Sequence, residues 1–65
     1  MLDRYIETAR TAREMFHADP SISHGMTWAY TIGRLVGKYK SLPGYISVEN
    51  REAIDAELSA YLEYK

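Results

Sequence analysis

Two histidines, an aspartate and two serines crowd into the stretch His17-Ala18-Asp19-Pro20-Ser21-Ile22-Ser23-His24. Imidazole nitrogens and a carboxylate are the usual ligands of divalent metals, so His17, Asp19 and His24 offer three donors. Their spacing matches no established metal motif, and no fourth ligand stands nearby in the sequence. Serine beside histidine also suggests a nucleophile with its base. That chemistry needs an orienting acid and an oxyanion nest, and neither can be identified. The stretch reads as a solvated loop between helices. The expectation is a protein that is not an enzyme, with no metal and no cofactor.

A second chemical pattern is Gly33-Arg34-Leu35-Val36-Gly37-Lys38. Glycines and a lysine build phosphate-binding loops where a strand runs into a helix. No strand precedes these residues, and both glycines fall inside a helical pattern. A phosphate loop of that kind is excluded.

Charge supplies a third pattern. The formal net charge is −1, which gives no general attraction to nucleic acid or anionic lipid. Its distribution is uneven. Residues 1–41 carry Arg4, Arg10, Arg13, Arg34, Lys38 and Lys40 against Asp3, Glu7, Glu14 and Asp19, a net of +2. Residues 42–65 carry Glu49, Glu52, Asp55, Glu57 and Glu63 against Arg51 and Lys65, a net of −3. Arg10, Arg13, Arg34, Lys38 and Lys40 are therefore candidate phosphate contacts of a nucleic-acid-associated protein, the alternative functional reading. The turn Ser41-Leu42-Pro43-Gly44-Tyr45-Ile46-Ser47 superficially suits a helix-turn-helix. Its second helix would then have to enter a groove, yet it is the most acidic part of the chain. Glu49, Glu52 and Glu63, with Tyr64 at the end, read better as a surface for a basic partner protein.

The elements that must position these groups are helices. Leu2, Tyr5, Ala9, Ala12 and Phe16 recur in steps of three and four, with Ile6 beside them, which predicts a helix over 2–17. Asp19-Pro20 ends it. A second helix over 24–40, capped by Ser21 or Ser23, stops at the breakers Pro43 and Gly44. A third over 48–64 starts at the N-cap Ser47, with Glu49 and Glu52 near its positive end and Ile54, Leu58, Tyr61 and Leu62 as its apolar face. No segment alternates convincingly enough for a strand. The fold class is all-α: one compact three-helix domain spanning residues 1–65.

The second helix raises the architectural question. Gly25, Ala29, Gly33 and Gly37 make a smooth ridge beside a bulky one of Trp28, Ile32, Leu35 and Tyr39. Thr27, Thr31, Arg34 and Lys38 form a polar stripe only about 60° wide at 100° per residue. A helix with so little polar surface should be covered on two sides and be the most buried of the three. Interior glycine costs roughly 0.5–1 kcal/mol relative to alanine, so close approach of another helix is the expected compensation. Sixty-five residues without cysteine have no disulfide to supplement a small core. Six tyrosines, a residue type enriched at interfaces, point the same way. The expected self-association surface is Gly25, Met26, Ala29, Tyr30, Gly33 and Gly37, giving a homodimer. With 46% hydrophobic and 26% charged residues, no signal-peptide core and no apolar span, the chain reads as folded, cytoplasmic and away from membranes. The functional expectation is a small regulatory protein that binds itself and another protein, of a kind common in phage and other mobile-element genomes.

Overall fold

A computed structural model describes residues 2–42, 44 and 46–65. Three α-helices follow in order: α1 (Leu2–Ala18), α2 (Ile22–Ser41) and α3 (Val48–Tyr64). Among the described residues no strand forms. Pro43, part of the expected breaker, and Tyr45, part of the expected turn, lie outside the described residues.

Local chemistry accounts for the joints. The last backbone bond of α1 runs from Asp19 N–H to the Met15 carbonyl, and Pro20 prevents continuation. Ser21, in extended backbone, accepts from His24 N–H through its hydroxyl at 3.1 Å and caps α2. That cap starts α2 at Ile22, two residues ahead of the expected position. Ser47 does the same for α3, accepting from Asn50 N–H at 3.1 Å. Between α2 and α3 the chain passes through Gly44 at φ +102°, a left-handed conformation that glycine adopts without a Cβ clash.

The core draws Leu2, Ile6, Ala9 and Ala12 from α1, Trp28, Ile32 and Leu35 from α2, and Ile54 from α3. The most extensive packing is between α1 and α2, where Ala9 and Ala12 keep the seam narrow. Trp28 is fully buried among Phe16 (ring centroids 5.4 Å apart), Tyr61 (5.2 Å) and Tyr64 (5.2 Å). His17 meets its ring edge-on at 5.6 Å. This aromatic cluster ties the end of α1 and the end of α3 to the beginning of α2.

Four expectations need correction. Within one chain α2 is covered on one side, and α1 buries as many residues as it does. Thr31, assigned to the polar stripe, is buried. Its hydroxyl donates to the Trp28 carbonyl at 2.8 Å, so α1 can cover it without leaving a polar group unpaired. Leu62, assigned to the apolar face of α3, is 69% exposed. It lies 100° round the helix from Tyr61, while Tyr64 instead folds onto Phe16 and Trp28. Glu57, a charged residue three positions after Ile54, is buried.

Candidate functional site

Glu57 is buried because Arg13 reaches it. Arg13 Nε donates to Oε1 at 2.9 Å and Nη2 to Oε2 at 3.1 Å, a bidentate pair joining α1 to α3. The hydrogen bond to Glu57, opposed by partial desolvation, holds the Arg13 guanidinium above its ordinary value. Sequence periodicity places Arg13 beside the core stripe of α1, and Glu57 three residues after Ile54. The pairing itself spans 44 positions, and no local pattern announces it.

The five candidate phosphate contacts are not gathered on one surface. Arg13 is committed to Glu57, and Arg10 forms an exposed ion pair with Glu7 one turn away. Arg34 and Lys38 do come together, on Tyr5. The Arg34 guanidinium lies 5.4 Å from the Tyr5 ring centroid and 5.7 Å from that of Tyr30. Lys38 Nζ is 5.8 Å from Tyr5. The phenol oxygen of Tyr5, and secondarily that of Tyr30, raises the Arg34 pKa. Lys40 is exposed near the end of α2. Beside Arg34 the groove between α1 and α2 opens into a cleft of about 340 Å³ lined by Arg4, Tyr5, Thr8, Tyr30, Thr31 and Arg34. In the sequence Tyr5 belongs to the apolar stripe of α1, Arg4 is one basic residue among six in residues 1–41, and nothing marks Thr8. Their i, i+1 and i+4 spacing on α1 was the available signal, but only the facing turn of α2 gives it meaning.

The small-residue ridge splits in two. A Cβ on Gly25 would stand 3.3 Å from Phe16 Cε1 and 3.8 Å from the Tyr64 hydroxyl, so this end is closed by the chain itself. Gly33 and Gly37 have nothing within 4 Å of a Cβ. The cause is helical geometry: an i, i+4 ridge drifts 40° per step, carrying Gly25 at the packed edge round to Gly37 at the open face. Ala29, halfway along, is half-buried. On that open face Ile22, Met26 and Tyr30 are 83%, 68% and 64% exposed.

Glu49, Glu52 and Glu63 are exposed on α3, with Ala56 and Ser59 exposed between them. Tyr64 stands apart from that group, its ring 4.9 Å from Phe16. The two histidines diverge. His17 packs on Trp28, whereas His24 Nδ1 lies 2.8 Å from the Asp19 carbonyl oxygen. Among the described residues no three His, Asp or Glu side chains gather where they could hold a metal ion, and no helix is long and apolar enough to cross a membrane. No protein family, curated protein or solved structure matches this chain.

Proposed function

We propose that this chain is a small, non-catalytic interaction protein that pairs with a second copy through the open face of α2, the pair then engaging another macromolecule. The observation that supports this reading is the face of Ile22, Met26, Ala29, Tyr30, Gly33 and Gly37, small or apolar at these positions, with Lys40 at its C-terminal end. Large apolar side chains protrude at one end of it, and bare backbone is exposed at the other. Antiparallel α2 helices would set the protrusions of one copy against the glycines of the other, which is how small-residue ridges gain close packing. A standard interface buries about 800 Å² per partner. That is roughly a sixth of the 4611 Å² this chain exposes. The acidic outer side of α3, with Glu49, Glu52 and Glu63, lies on a different helix and stays available to a basic protein partner.

The test is absolute mass by light scattering over a dilution series, for the parent chain and for Gly33→Leu. Open space above Gly33 lets leucine fit the folded monomer, so loss of pairing would report on the interface and not on unfolding. A parent dimer that becomes a monomer with Gly33→Leu is expected. A monomeric parent at high concentration, or a variant dimer of unchanged affinity, rejects the reading.

A further inference from the structure

The cleft between α1 and α2 concentrates like charge without a counterion. Arg4 and Arg34 line it, and Lys38 shares the Tyr5 ring with Arg34. No aspartate or glutamate lines it, and among the described residues none of these three cations is in an ion pair. Glu7, on the adjoining shallower groove, is held by Arg10. Gathering cations this way is unfavourable until an anion joins them.

The hydroxyls of the cleft narrow the choice of ligand. Thr8 donates its proton to the Arg4 carbonyl at 2.8 Å, and Thr31 donates to the Trp28 carbonyl at 2.8 Å. Neither proton is left for a ligand. The remaining donors are guanidinium N–H groups and the phenols of Tyr5 and Tyr30, so the matching ligand is rich in acceptors and has no need to donate. A carboxylate or a phosphodiester brings one negative charge. A phosphate monoester brings between one and two near pH 7, with three strong acceptor oxygens, and matches the two guanidinium forks and the ammonium better. The cleft is larger than a bare phosphate requires and falls at the lower end of the roughly 300–1,000 Å³ typical of ligand sites. Tyr30, 64% exposed, offers a ring face at its edge for a planar group.

We propose that the Arg4–Tyr5–Tyr30–Arg34 cleft binds the phosphate monoester of a nucleotide, with Arg4 and Arg34 gripping the phosphate and the base lying against Tyr30. The phosphate is either that of a free nucleotide or the 5′-terminal group of a strand. The site shares Tyr30 with the open face of α2, but its charged lining, Arg4 and Arg34, lies outside that face, so a chain that proves monomeric keeps the whole site.

The experiment follows backbone amide resonances at constant ionic strength while adenosine monophosphate, adenosine or inorganic phosphate is added. The nucleotide should shift Tyr5, Thr8, Tyr30 and Arg34 and bind at least tenfold more tightly than adenosine. Arg4→Gln with Arg34→Gln should weaken the nucleotide tenfold or more, while Arg34→Lys retains part of the affinity. Equal binding of nucleotide and nucleoside, or shifts elsewhere on the surface, overturns the proposal without recourse to any variant. A third arm compares short oligonucleotides with and without a 5′-phosphate. Preference for the phosphorylated end identifies a strand terminus as a source. A strand that binds equally well without it, and more tightly than the mononucleotide, means that backbone diesters occupy the cleft, and the monoester assignment falls.

Discussion

Arg13 and Arg34 sit on neighbouring helices and meet opposite circumstances. Arg13 points into the seam between α1 and α3, where Glu57 takes both of its donating edges and is itself buried. Arg34 points into the groove between α1 and α2, where it finds two aromatic rings and no carboxylate. The first side of the bundle is satisfied internally. The second leaves cations, a cleft and an apolar helix face without partners in the chain. Positive charge next to a core stripe is therefore no guide to function by itself. What faces it across the helix boundary decides whether it is a strut or a site.

Several changes would break or sharpen that contrast. The largest effect belongs to the closed side: Trp28→Ala should cost about 3–5 kcal/mol, enough to unfold much of a domain this small, as read by thermal melting. Trp28→Phe should cost less, because it keeps most of the ring and removes an Nε1–H that is buried without an acceptor. Next, Glu57→Ala should cost about 2–3 kcal/mol by stranding a partly buried guanidinium, a value reduced by the 25% exposure of the Arg13 side chain. Arg13→Leu combined with Glu57→Leu should recover most of that loss. A double variant no better than Glu57→Ala would show that the pair positions α3 in a way apolar packing cannot replace.

On the open side the expected effects are smaller and of different sign. Gly33→Ala should stabilise the folded monomer by about 0.5–1 kcal/mol, since it gains helix propensity and meets nothing. Gly25→Ala should return little or none of this, because the added methyl presses on Phe16. Equal gains at both sites would contradict the split ridge. Smallest of all, Arg34→Gln should leave the melting temperature nearly unchanged, two exposed cation–π contacts being lost while repulsion from Lys38 and Arg4 is relieved. A large loss there would make the cleft a structural element after all.

Much of the architecture was legible because its causes are local. Apolar residues in steps of three and four, Pro20, and the caps Ser21 and Ser47 specify three helices and their joints, and the observed bounds differ by at most two residues. The bulky ridge of Trp28, Ile32 and Leu35 likewise faces the core as its spacing demands. Of the cleft, Arg34 and Lys38 were legible as basic residues on one helix face. Tyr5 and Arg4 were not, since they belong to a different helix, and only the antiparallel approach of α1 to α2 sets them opposite.

Sequence alone thus determined the helices, their ends and the core stripe of each, because backbone hydrogen bonding and capping act within a few residues. Tertiary structure decided which polar residues the core accepts. Thr31 can be buried once its own helix takes its proton, and Glu57 once Arg13 arrives from 44 residues away. It also decided where the ridge of small residues is closed and where it is open, since that depends on which neighbour each turn of α2 meets. Burial of a charge, or exposure of a glycine, is a property of pairs of elements, and a single stretch of chain does not contain it.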